Sequence, residues 1–482
     1  MRITIENFGP VEKFDFDTDK SLHLIVGNNN VGKSYALAAY YFAIKTLMYF
    51  RGPRSRYFFL DDEIEDGPED NPSFIAKLKE KKAADLDIGD IYHDSIMRLL
   101  KEQVADEFTQ QIKSSFQEFD SIANQFSGAE VSRITFDLPS LKFVLEGNID
   151  EFKVTDVEFG YKILLRTVKQ NRGASLSGGK LVIYRKVTDD ARSVLESIGY
   201  IAMRRVSALI LQATRKISDI NYLPASRSGL YQALSAFGLI IAELSKNRSF
   251  VSSKIELPGI SGQLSDYFIR LTSIAESSVN AESAFEEIAS TIESSVLKGK
   301  IEYDYVKKKL YYRPDNTTLR LDLSATSSMV SEIGPVVTYI RHILSESARR
   351  PRRRSSLSQN EEPEVRKQIL IIEEPEAHLH PLNQIKMTQL YADLTKIGVN
   401  VIMTSHSNYV FNKVSNLVMA SQLEISEVRC DLFELKDTGS IGLSQEIDQY
   451  GIDDSNFVDA SELLLNEKFL MLEREESDDL PN

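Results

Sequence analysis

A single cysteine, Cys430, stands among 482 residues. That excludes an internal disulfide framework and a cysteine-built zinc site, and it suits a reducing compartment. Positive charge is in deficit: 57 Lys and Arg against 71 Asp and Glu leave a formal net charge of −14. An acidic balance argues against a surface that attracts nucleic acid everywhere, so such contact would need a local basic patch. Long apolar runs are missing as well. The most apolar stretch, residues 34–50, is interrupted by Lys45 and is too short for a membrane span. The N-terminus, with Glu6 and Asp15, lacks a signal-peptide pattern, so a cytoplasmic protein with no membrane partner is expected. No heptad array is present, which excludes a long coiled coil. What remains is a globular composition, 42% hydrophobic and 27% charged, in a chain too long for one uninterrupted core.

Alternation predicts strands at the start of the chain, with Ile3 and Ile5 on one, Phe14 and Phe16 on the next, and a third over 22–26. Residues 36–50 are apolar nearly all round, as in a helix buried on most sides. Residues 51–129 read as a helical insertion and 130–186, with period two, as an antiparallel β subdomain. Helical patterns return over 187–348, broken by a hairpin between 303 and 323 whose turn is expected near Pro314, Asp315 and Asn316. An arginine-rich linker over 349–367 reads as disordered. Strands and amphipathic helices then alternate from 368 to 482, the pattern of a largely parallel α/β sheet.

The strongest motif is Gly27, Asn28, Asn29, Asn30, Val31, Gly32, Lys33 and Ser34, which fits G-x-x-x-x-G-K-[ST] between a strand and a helix. In such a loop, backbone N–H groups and the helix N-terminus cradle phosphates. Lys33 then reaches the β- and γ-phosphates, and Ser34 offers a hydroxyl to Mg²⁺, so ATP and Mg²⁺ are the expected cofactors. A second motif is the apolar run 369–372 ending in Glu373 and Glu374, at the strand edge where ligands sit in open α/β sheets. Glu373 is expected to hold the Mg²⁺ water shell and Glu374 to polarise the attacking water. His406 ends another strand, where it is placed to meet a γ-phosphate or that water. His378 and His380 could chelate at i, i+2, but no cysteine or clear third ligand accompanies them.

With these residues in hand, the chain resembles the ABC-type ATPases of the RecF, SMC and overcoming-lysogenisation-defect group. The signs are Asn7, Phe8, Gly9 and Pro10 after the first strand, the phosphate loop 27–34, the carboxylate strand 369–374, the stretch 376–381 and His406. The resemblance implies an α/β fold: a P-loop nucleotide-binding core split between 1–50 and 368–482, with helical and antiparallel β insertions. The 341 residues between Lys33 and Glu374 (374 − 33) exceed a compact core of on the order of 100 to 200 residues. Segment 222–227 resembles the family's Q-loop region, with Arg227 where a glutamine is usual.

The resemblance also implies a signature loop that reaches the γ-phosphate of a second protomer. Residues 176–180 are nearest in letters but read as a hairpin turn, and 260–263 lie far ahead of the carboxylate strand. The stretch 323–332 opens a helix shortly before that strand, which makes Ser327 and Ser328 the phosphate contacts. A head-to-tail homodimer or larger homo-oligomer follows. Short members of this group resemble the ATPase subunits of two-gene anti-phage systems such as PARIS and Septu. That likeness implies a sensor of a phage-encoded trigger that controls a separate effector, such as a nuclease. A RecF-like DNA-repair ATPase and a non-hydrolysing ATP-dependent scaffold remain the alternatives. The arginines of 349–354 would suit DNA, RNA or an acidic partner, or simply a solvated loop.

Overall fold

A computed structural model describes residues 1–50, 78, 85–116, 122–169, 173–233, 261–276, 282–349, 366–453, 462–463 and 465–471. Residues 350–365 of the expected arginine-rich linker and most of 51–84 lie outside these residues. Among the described residues no helix is long and apolar enough to cross a membrane.

Eleven strands form one mixed sheet: β1 (Arg2–Phe8), β2 (Val11–Asp17), β3 (Leu22–Gly27), β5 (Ser132–Leu138), β6 (Leu141–Gly147), β7 (Phe152–Phe159), β11 (Ile217–Leu223), β15 (Lys367–Glu373), β16 (Val399–Ser405), β17 (Val428–Lys436) and β18 (Gly439–Ser444). Their spatial order is β11-β15-β16-β3-β17-β18-β2-β1-β5-β6-β7. The first five in that order pair in parallel. The mixed α/β fold expected from the sequence is therefore present; strands from both ends of the chain build it together with β5, β6, β7 and β11, which lie between the two segments expected to form the core.

Both faces of the parallel half are buried, which explains its near-continuous apolar strands. On β15, Ile369 and Ile371 face one core while Leu370 and Ile372 face the other. The first core is covered by α1 (Lys33–Tyr49), α2 (Gly89–Leu100), α3 (Asp106–Phe116) and α4 (Ala191–Thr214). The second is covered by α5 (Gly262–Thr272), α6 (Ala284–Ile292), α7 (Ser328–Thr338), α8 (Pro381–Lys396) and α9 (Asn408–Met419). Helix α1 is buried on most sides because sheet, α3 and α4 surround it; Tyr40 stacks on Phe16 with ring centroids 4.3 Å apart. Each such fully buried large side chain contributes about 1.5–3 kcal/mol.

Two expectations need correction. The period-two stretch 130–186 is not one antiparallel sheet. Strands β5, β6 and β7 extend the central sheet through β1. Strands β8 (Lys162–Val168), β9 (Ala174–Ser177) and β10 (Lys180–Lys186) form a second sheet with β4 (Leu86–Asp87), in which β8 and β10 run parallel. Alternation reports which residues are buried, and it carries no information on strand direction or sheet membership. The hairpin is likewise a three-stranded meander. It turns between β12 (Gly299–Asp304) and β13 (Lys309–Pro314) at Lys308, whose φ is 54°, and the turn at Asn316 joins β13 to the short β14 (Leu321–Asp322). The stretch 176–180 is the tight turn between β9 and β10, with positive φ at Gly178 and Gly179.

Candidate functional site

The parallel strands β15, β16 and β3 are consecutive in the sheet, so Glu373, Ser405 and Gly27 come to one edge. Gly27, with φ 145°, leaves the strand where an added Cβ would lie 2.6 Å from the Phe433 carbonyl oxygen. Gly32, with φ 86°, caps α1, and a Cβ there would lie 2.5 Å from Pro10 Cγ. Both positions demand glycine, and Pro10, from the Asn7 to Pro10 motif, roofs the loop. Val31 anchors the loop in the core, whereas Asn28, Asn29 and Asn30 are exposed to any ligand.

Lys33 is buried and folded back on the loop, donating to the Gly27 carbonyl at 3.0 Å and the Asn28 carbonyl at 2.7 Å. Burial lowers its pKa to about 8, against the opposing pull of Glu374, Glu376 and Glu373. Its Nζ lies 3.5 Å from His406 Nδ1. Burial, and next the Lys33 charge, hold His406 below the ordinary imidazole value, while Glu374 opposes the shift.

Glu373 ends β15 buried, and burial raises its pKa although Ser34, Tyr222 and the Ala225 N–H all donate to it. Its Oε1 has no hydrogen-bond partner. Glu374 takes φ 44°, a left-handed conformation that costs a non-glycine residue about 1–3 kcal/mol. The turn is pinned by its N–H, which donates to the Thr404 carbonyl at 3.1 Å. The carboxylate stays partly exposed with Oε1 3.7 Å from His406 Nε2. The structure thus brings Lys33, Ser34, Glu373, Glu374 and His406 together. The Ser34 hydroxyl and the Glu373 carboxylate, with its unpartnered oxygen, are hard donors that suit a hydrated Mg²⁺.

Ser327 and Ser328 are exposed at the start of α7, where the Ser327 side chain caps the helix by accepting from the Val330 N–H. Among the described residues neither bonds to the phosphate loop of its own chain. His380 is a helix cap, accepting from the Leu382 N–H at 3.3 Å through Nδ1. Arg204 lies exposed over the Tyr200 ring, 5.7 Å from its centroid.

Sequence reasoning included Glu376 in the stretch 376–381 but gave it no role. Its Oε1 accepts from the His406 N–H at 2.6 Å and from the Ser405 hydroxyl at 2.9 Å, so it fixes the end of β16 on which the histidine stands. Burial raises its pKa, and its Oε2 has no partner. A third acidic residue two places beyond Glu374 was the available signal.

A family model described as an AAA ATPase domain matches residues 1–172 and 242–411. No curated protein matches the chain. Similar solved structures include an SMC head bound to the C-winged helix domain of ScpA, at 11% identity over 92% of this chain and 98% of that chain, with a TM-score of 0.37. An SMC head domain from Thermotoga maritima gives 9% identity over 92% and 98%, with a TM-score of 0.34. An SMC head domain with an extended coiled coil, bound to the C-terminal domain of ScpA derived from Pyrococcus furiosus, gives 10% over 97% and 98%, at 0.35.

Proposed function

The chain belongs to the AAA ATPase domain family, and from that premise we propose that it binds ATP with Mg²⁺ and hydrolyses it in sites shared between two copies of itself. The observation that carries the reading is the convergence of Lys33, Glu373, Glu374 and His406 on one sheet edge beside the phosphate loop. ATP lies along loop 27–34, with Lys33 leaving its loop carbonyls for the β- and γ-phosphates. Ser34 and Glu373 would hold Mg²⁺, which when bound would offset phosphate charge. Glu374 accepts a proton from the attacking water, whose oxygen bonds to the γ-phosphorus as the bond to the ADP oxygen breaks. His406 neutral, as its low pKa favours, orients that water or the γ-phosphate.

Ser327 and Ser328, exposed at a capped helix start, close the site from the second copy. The family likeness described above extends the proposal to anti-phage defence, in which the ATPase answers a phage trigger and controls a separate toxic effector. Phosphate release by the wild type and by Glu374→Gln tests the chemistry. Turnover should fall at least about a hundredfold in the variant while ATP binding persists; a wild type no faster than the variant, alone and with a partner, removes the catalytic assignment. Light scattering of Glu374→Gln tests the dimer, which should form with ATP and not with ADP. Phage plating on cells carrying this gene and its neighbour, wild type against Lys33→Ala, tests the defence role.

A further inference from the structure

Arg227, which stands where a glutamine is usual, has no part in the mechanism above, yet it is the largest fully buried side chain among the described residues. Its Nη1 donates to the carbonyls of Pro224 at 3.1 Å and Glu373 at 2.9 Å, and its Nη2 to the carbonyl of Glu374 at 3.3 Å. The Glu373 and Glu374 carbonyls belong to the turn that carries both site carboxylates, including the strained Glu374, and the Pro224 carbonyl to the segment after β11. A buried guanidinium requires a countercharge, and Glu332 provides it, itself 2% exposed and 3.4 Å from Arg227 Nε. The Glu332 carboxylate also accepts from the backbone N–H groups of Arg227 at 3.1 Å and Ser228 at 3.2 Å, and from the Ser228 hydroxyl. The guanidinium thus meets Glu332 as an ion pair, its Nε making no hydrogen bond, while hydrogen bonds fix Glu332 to the backbone of 227–228 and the guanidinium to the carbonyls.

Glu332 lies on α7, four residues after Ser328, so both sit on one helix face one turn apart. One end of the assembly grips the backbone of Glu373 and Glu374; the other grips the helix that begins with Ser327 and Ser328. We infer that Arg227 and Glu332 are positioning residues: a buried strut that aims the Glu374 carboxylate and links it, within one chain, to the loop that serves the partner's nucleotide. The inference rests on the shared-site reading above. Docking of a γ-phosphate on Ser327 and Ser328 bears on α7, and the strut passes that load to the carbonyls of the same chain's own carboxylate turn. ATP turnover is then cooperative, although no residue of the strut touches nucleotide.

Three substitutions in the full chain test this. Arg227→Lys keeps the charge but loses the fork that spans three carbonyls. Glu332→Gln keeps acceptor capacity but loses the charge. Ser228→Ala loosens Glu332 without stranding a buried charge, and serves if the other two fold poorly. The strut predicts kcat lower by about tenfold in the first two and about threefold in the third, with KM within about threefold. It also predicts a Hill coefficient that falls from above about 1.5 toward 1. A role confined to folding would lower the melting temperature and the active fraction without moving the Hill coefficient of what remains. Wild-type kcat and Hill coefficient in folded variants, or a wild type with a Hill coefficient of 1, overturns the strut. A wild type without turnover overturns the ATPase reading instead.

Discussion

Strand β3 carries a charged cluster at each end, and the two are built on opposite principles. Near its start, His23 Nε2 lies 2.5 Å from Asp431 Oδ2, and Arg429 binds Asp431 at 2.6 Å and Asp15 at 2.9 Å. Burial works against the Asp431 carboxylate, but the bonds to His23 and Arg429 overcome it and hold its pKa below the ordinary value. Past its end, Glu373, Glu374 and Glu376 surround Lys33, whose ammonium is occupied by loop carbonyls. One oxygen each of Glu373 and Glu376 is left without a partner. In the first cluster the protein itself supplies the countercharges of the Asp431 carboxylate, and only His23 Nδ1 is left without a partner. The second sets three carboxylates against one lysine, whose ammonium is bonded to loop carbonyls, an excess of negative charge that Mg²⁺ would offset when ATP is bound.

The contrast breaks if substitutions in the two clusters behave alike. Arg429→Ala leaves the buried Asp431 to His23 alone and should cost about 1–3 kcal/mol in urea unfolding while leaving ATP affinity unchanged. Equal stability would dissolve the distinction. Glu373→Gln should do the reverse, lowering Mg²⁺-dependent turnover about a hundredfold while raising the melting temperature of the nucleotide-free protein. The sign follows from linkage: a carboxylate whose folded pKa is raised costs stability as pH rises through that pKa. The gain from Gln should therefore be present near pH 7 and vanish near pH 3. For Asp431, whose pKa is lowered, stability is lost as pH falls through the folded value.

Smaller effects sharpen the comparison. Glu376→Ala releases the His406 N–H and the Ser405 hydroxyl, so kcat should fall about tenfold with ATP affinity within about threefold. An unchanged kcat would show that the histidine needs no such anchor. Lys33 in the free protein loses its proton near pH 8, and a bound phosphate raises its pKa. ATP affinity should therefore weaken as pH rises above about 8, by up to about tenfold per unit, with uptake of a proton. Calorimetry in buffers of different ionisation enthalpy measures that uptake; a pH-independent affinity between 7 and 10 would contradict the role of the lysine.

Much of the parallel core was legible because its signals are local. Spacing alone placed loop 27–34 between a strand and a helix, and the apolar run 369–372 marked a strand that the structure buries on both faces. Other features depend on partners far away in the chain. Glu376 acts on His406 thirty residues on, and Arg227 meets Glu332 more than a hundred residues later. Both work largely through backbone groups, which every residue type carries, so the sequence could mark Glu376 as a third nearby carboxylate and Arg227 as an unusual residue without naming their partners. The same limit explains β5 to β10, where one alternation served two sheets and both strand directions. It also explains the turn at Lys308, which has no Pro, Gly or Asn to mark its left-handed backbone.

The central claim is that the incomplete cluster is a nucleotide site with Lys33 as its phosphate contact. Calorimetric titration of ATP with Mg²⁺ into the wild type and into folded Lys33→Ala tests it most directly. The account predicts saturable binding to the wild type and affinity weaker by at least about a hundredfold in the variant, roughly the 3 kcal/mol expected of a charge-assisted contact. Equal affinity in the two proteins would contradict it.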